Sequence, residues 1–168
     1  MNHYKKIEHI QNNESYWQGD ICISLVHEAL ACAKKQGFDV TAILAQTNIH
    51  LDQTRVSVDD YAQLWITLAN HMNDEFFGMD HRPLRRGSYQ FLSQSLCQSE
   101  NLAIALKYAL RFFNLMFNDL HSELRISDES VAIVIHDRAG CKPMFTYATY
   151  WMLLHGLMCW LTGQRILI

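Results

Sequence analysis

Five side chains able to bind a metal or move a proton, His71, Asp74, Glu75, Asp80 and His81, fall within eleven residues of one another. Imidazoles and carboxylates grouped in this way suit a transition metal when the chain folds them inward. Their spacing argues against it: His71 and Glu75 stand at i and i+4, but the helix-breaking Asn73 lies between them and no HExxH or CxxC pattern accompanies them. The group reads as a solvated helix end, and no metal is expected. Ser88 follows Gly87, yet the surrounding RRGSYQ lacks the GxSxG turn that exposes a serine nucleophile. His27 beside Glu28, and His155 in an apolar stretch, carry acid–base chemistry, although a single core histidine satisfied by one hydrogen bond is the commoner arrangement. Either histidine as an axial haem ligand is a further, weaker reading. With no phosphate loop or dinucleotide fingerprint, the chain is expected not to be an enzyme and to hold no cofactor.

Two groupings suit binding better. Arg82, Arg85 and Arg86 crowd ahead of Gly87 and Ser88, where planar cations and the free N–H groups of a helix start suit a carboxylate or phosphate, unless the turn is simply solvated. Tyr147, Trp151, His155 and Met158 share one stripe of a late helix, with Phe112, Phe113 and Phe117 placed to face it. Such a stripe serves either as core or as the wall of a small-molecule pocket. The expected ligand contacts are Arg86 and Ser88 for an anionic group, with Phe112, Tyr147, Trp151 and His155 as the wall.

These residues need elements to hold them. Beyond a polar leader over residues 1–19, Asp20 is suited to cap a helix reaching Gln36, with Gly37 as its stop. A short helix follows around Val40 to Gln46, and Ser57 with Asp60 forms a capping box that opens a helix to about Met72. Gly87 and Ser88 open another to about Gln98. Ser99 is the expected cap for the longest amphipathic helix, Glu100 to Phe117, with Leu102, Leu106, Ala109, Phe113 and Met116 inward. From Leu120 the apolar period drops to two, and Ser127 to Ser130 turns the chain back into Val131 to His136, an antiparallel hairpin. A final apolar helix, Met144 to Thr162, stops at Gly163, and Arg165 to Ile168 starts another strand. The expected class is therefore α+β, mainly helical with a small antiparallel sheet. The apolar ending Ile166, Leu167, Ile168 suggests truncation before the last strands.

Composition narrows the role. A chain of 168 residues that is 49% apolar suits one domain, residues 20–168. A net charge of −3 makes it a poor partner for nucleic acid by itself. Five widely spaced cysteines read as small buried thiols of a reducing compartment, and the leader lacks an apolar signal core, so a cytoplasmic address is expected. The stretch Met144 to Gly163 has no charged residue, but Thr146, Tyr147, Thr149, Tyr150 and His155 make it a buried helix with polar notches rather than a membrane span.

The segments DEFFGMDHRPLRRGSYQFLSQSL, SENLAIALKYALRFFNLM and DLHSELRISDESVAIVI resemble the N-terminal, arabinose-binding-like sensor domain of AraC/XylS-type transcription regulators, in particular the subgroup akin to ornithine-utilisation regulators. Gly78, Pro83, Gly87, Ser88, Leu102, Ala105, Leu106 and Phe112 carry the likeness, which spans about Asp20 to Ile168. The resemblance implies a cytoplasmic bacterial regulator that senses a small-molecule effector and dimerises, with DNA read by a C-terminal pair of helix-turn-helix motifs absent from this sequence. The rival expectation is a ligand-free module that pairs two protomers through an apolar stripe or an unpaired strand.

Overall fold

A computed structural model describes residues 21–127 and 130–166. Its helices are α1 (Ile23–Lys35), α2 (Val40–Leu44), α3 (Val58–Met72), α4 (Ser88–Leu96), α5 (Leu102–Met116) and α6 (Met144–Thr162). The strands β1 (Ile21–Cys22) and β2 (Arg55–Val56) form one small antiparallel pair, and β3 (Leu120–Ile126) with β4 (Val131–Asp137) forms the expected hairpin. The α+β expectation holds.

Local chemistry explains most boundaries. Ser57 Oγ accepts from the Asp60 N–H at 3.0 Å and donates to its carboxylate at 2.6 Å, so the predicted capping box opens α3. Asn73 closes that helix in the left-handed conformation, φ 49°. The hairpin pairs Leu120 with Asp137 through Ile126 with Val131 in unbroken register. Asn114 of α5 clamps its outer edge, with Oδ1 accepting from the Ser122 N–H and Nδ2 donating to the Ser122 carbonyl, both at 2.8 Å. Gly163 ends α6 at φ 62°, as expected.

Several expectations are corrected. The cap of α5 is Asn101, whose Oδ1 accepts from the Ile104 N–H, whereas the Ser99 N–H is spent on the Leu96 carbonyl in the turn that ends α4. Cys22 is the N-cap of α1 and makes no side-chain cap bond; the expected cap, Asp20, lies outside the described residues. The cysteines are not buried. Cys22, Cys97 and Cys141 are exposed and Cys32 and Cys159 intermediate, because three of them fall at helix ends or in a turn; all five are free thiols. Arg165 and Ile166 form no strand, and Leu167 and Ile168 lie outside the described residues.

Apolar burial divides into two cores. Val26, Ala29, Leu30 and Ala33 of α1 pack with Ile43, Leu64 and Leu68. Phe113, Ala109, Leu110 and Phe117 pack with Leu120, Tyr150 and Leu154 around Phe76. Trp65 and Met79 touch both, and α6 contributes Phe145 to the first core and Tyr150, Leu153, Leu154 and Leu157 to the second. Its uncharged sequence follows from burial on several sides, and no helix among the described residues is long and apolar enough to cross a membrane.

Candidate functional site

Between α3 and α4 the chain runs without regular structure, and buried carboxylates take the place of backbone pairing. Asp74 accepts from the N–H groups of Phe76, Gly78 and Leu84 at 2.9, 2.6 and 2.8 Å. Asp80 accepts from Arg82, Asn118 and Asp119 at 3.0, 2.9 and 2.9 Å, tying this segment to the start of the hairpin. An acceptor-only side chain that gathers several N–H donors satisfies buried backbone groups that would otherwise destabilise an irregular loop. Two members of the acid and histidine run singled out in the sequence are thus staples. No group of three or more metal-binding side chains exists among the described residues.

The Arg-Arg-Gly-Ser start of α4 does bind an anion, and that anion belongs to the same chain. Glu75 Oε1 accepts from Arg86 Nη1 at 2.9 Å and from the Gly87 N–H at 2.8 Å, and Oε2 accepts from the Tyr89 N–H at 2.8 Å. Gly87 adopts φ 93°, a left-handed conformation that favours glycine. Arg86 Nε donates to Asn70 as well, and the Ser88 N–H bonds the Arg85 carbonyl. Replacing Arg86 by alanine is expected to lower stability by about 1–2 kcal/mol, the value of a charge-assisted hydrogen bond discounted for a half-exposed guanidinium. Urea unfolding followed by circular dichroism measures this, and an unchanged midpoint would deny Arg86 its structural role.

The aromatic stripe of α6 is present and half-buried. Tyr147 Oη donates to Asp137 at 2.6 Å, and that bond to a carboxylate raises the phenol above its ordinary value. Trp151 stacks near His155 at 6.5 Å and 20°, and His155 Nε2 meets the Ile166 carbonyl at 2.8 Å. Phe112 packs against the second core beside Phe113. The structure therefore brings Arg86 next to Ser88 and Trp151 next to His155, but does not gather the six expected contacts into one cavity.

A cavity of about 630 Å³ lies elsewhere, near the seam of the two cores. Its walls are α1 at Glu28, Ala31, Cys32 and Lys35, the segment 77–81, the turn after β4, and the first turn of α6 at Phe145 and Thr146. Phe77, 1% exposed, is held at φ 54° in this wall with its ring edge-on to Trp65 at 5.0 Å. A bulky side chain at positive φ is strained, and such strain clusters at binding sites. Gly78 beside it has φ 69°, and a Cβ there would fall 1.2 Å from Gln36 Nε2. Glycine lets α1 close on this loop.

Three polar side chains from distant segments converge in the cavity. Lys142 Nζ donates to Asp119 Oδ2 at 2.5 Å and to the Met79 carbonyl at 3.0 Å. His81 Nδ1 meets the same carboxylate at 2.8 Å. Burial raises the Asp119 carboxyl, but the hydrogen bonds and charges of Lys142 and His81 outweigh it and hold the group below its ordinary value. Sequence reasoning missed Asp119, Lys142, Thr146 and Phe77, and placed His81 only in the acid and histidine run. Their separations of 38 and 23 residues are set by tertiary packing, which no local period encodes.

An α+β shell with a sizeable cavity walled by an apolar core and a few convergent polar groups is the build of a ligand-sensing domain. The family described as the arabinose-binding N-terminal domain of AraC transcription regulators matches residues 37–168, and this chain belongs to it. No curated protein and no solved structure matches the chain.

Proposed function

We propose that this chain is the effector-sensing part of an AraC-type regulator, that its effector is a small molecule lodged in the seam cavity, and that the signal passes to a DNA-reading helix-turn-helix module outside this sequence. One observation carries the reading: the cavity wall joins first-core residues Phe77 and Phe145 to Met79, which packs against both cores. The same wall joins α1 of the first core to α6, which contributes side chains to each. A ligand transmits a signal only through different affinity for two packings, and a site on a seam changes when the seam shifts. The volume lies within the range of small-molecule sites. Placement in the ornithine-utilisation subgroup rests on the residue pattern alone.

Thermal unfolding across a metabolite panel tests this. A compound that binds only the native state raises the midpoint, by about 2.7 kcal/mol of added stability at a hundredfold excess over its dissociation constant. Ala31 is exposed on the cavity wall, so Ala31→Trp fills the space without disturbing a core, and the shift is expected to vanish in that variant.

A homodimer is the second reading. It is favoured by β4, whose far edge pairs with no strand among the described residues, and by Ile126 and Val131, which stand 52% and 59% exposed on one face of the hairpin tip. If pairing without a ligand is the whole function, the midpoint rises with protein concentration and no panel compound gives an Ala31-dependent shift.

A further inference from the structure

Resting on the reading of the seam cavity as the effector site, we infer that it takes a monocarboxylate with an apolar body. The spent and unspent hydrogen-bonding groups of the cavity point to it. Both oxygens of Asp80 are taken up by backbone N–H donors, and both oxygens of Asp119 by His81 and Lys142. The Met79 carbonyl is taken by Lys142.

At the end of the cavity formed by Asp119, Lys142 and Thr146, donors are left over. An ammonium has three protons, and Lys142 uses two, on Asp119 and Met79. Thr146 lines the cavity, is 2% exposed, and its hydroxyl has no hydrogen-bond partner among the described residues. That hydroxyl is free to donate to an acceptor carried by a ligand. Lys35 adds a second cation at the α1 wall. A carboxylate supplies only acceptors, so it satisfies this surplus, whereas an alcohol brings a donor and an amine brings only donors.

The rest of the wall decides the body of the ligand. Phe77, Met79, Phe145 and Ala31 offer apolar surface to a chain or ring. Glu28, whose carboxylate has no hydrogen bond among the described residues, lies on the α1 wall and repels a second carboxylate. One acidic head and an apolar remainder fit both features.

Calorimetric titration of the full chain with hexanoate, benzoate, hexan-1-ol, hexylamine and adipate tests the inference. Hexanoate or benzoate is expected to bind at least tenfold more tightly than the alcohol, the amine and the diacid. Thr146→Val, which keeps the side-chain shape and removes the hydroxyl, is expected to leave the unfolding midpoint nearly unchanged while weakening the carboxylate about tenfold. Lys142→Gln, which retains donors toward Asp119 and Met79, is expected to weaken it by more than tenfold. Alcohol, amine or diacid binding as tightly as either monocarboxylate, absence of monocarboxylate binding, or undiminished binding by Thr146→Val overturns the carboxylate assignment. If another compound still binds in an Ala31-dependent way, the sensor reading survives that result; if none does, both fall together.

Discussion

Replacing Asp74 by alanine is expected to destabilise the protein by about 3–5 kcal/mol, a large share of the stability of a domain this size. The carboxylate is 4% exposed and gathers three backbone N–H groups from Phe76, Gly78 and Leu84. Alanine leaves all three donors buried without a partner, each costing about 1–3 kcal/mol before the loop relaxes. Asp74→Asn should cost less, since its oxygen can still accept from Phe76 and Leu84, while its amide faces the Gly78 N–H donor to donor.

The two variants differ in their response to pH. Burial pushes the Asp74 carboxyl above its ordinary value, against the three N–H groups that pull it down, and the nearby Asp80 charge adds to the rise. A raised native value means that the group's contribution is full below the ordinary carboxylate range, near about pH 4, and declines as pH rises through the native value. The penalty of Asp74→Asn is therefore expected to shrink from about pH 4 to neutrality. Urea unfolding at several pH values reads both effects. A loss below about 1 kcal/mol for the alanine variant would mean that water or a rearranged loop satisfies the three donors, and that Asp74 is not a staple.

The second large effect is expected at Phe113. Its side chain is 1% exposed, stacks on Phe117 at 5.7 Å and 10°, and lies 5.3 Å from Tyr150, whose hydroxyl meets Ser122 Oγ at 2.5 Å. Burial pushes the Tyr150 phenol up to about 12, so it stays neutral and the core holds no charge there at ordinary pH. Phe113→Ala removes a large apolar side chain at the junction of α5, α6 and the hairpin, and is expected to cost about 3–5 kcal/mol. Phe112, the adjacent ring at 5.6 Å, is only partly buried, and its alanine variant is expected to lose about 1–2 kcal/mol. Equal losses at the two positions would contradict the assignment of Phe113 as the central ring.

That pair shows where sequence reading reaches its limit. A helical period of 3.6 selects the inward side of α5, and Leu106, Ala109 and Phe113 are indeed buried. The capping box at Ser57, the hairpin register and the Gly163 stop were legible for the same reason: each depends on residues within a few positions of one another. The cap of α5 was misread because Ser99, Glu100 and Asn101 all offer acceptors within one turn. Asn101 is the cap because it immediately precedes the first helical residue, Leu102, while Ser99 still belongs to the turn closing α4. Arginines before a helix start suit an anion, but composition does not say whose, and here Glu75, eleven residues upstream, takes Arg86.

What this sequence determined by itself is therefore the set of elements, the hairpin, the α+β class and the resemblance to a family of sensor domains. These follow from backbone propensities and apolar periods, which act over a few residues. Tertiary structure alone decided the site. Glu28, Phe77, Asp119, Lys142 and Thr146 meet around one cavity because α6 crosses from one core to the other and carries the ends of distant segments with it. The physical reason is that a pocket is space left between packed surfaces, so its lining depends on how whole elements fit together.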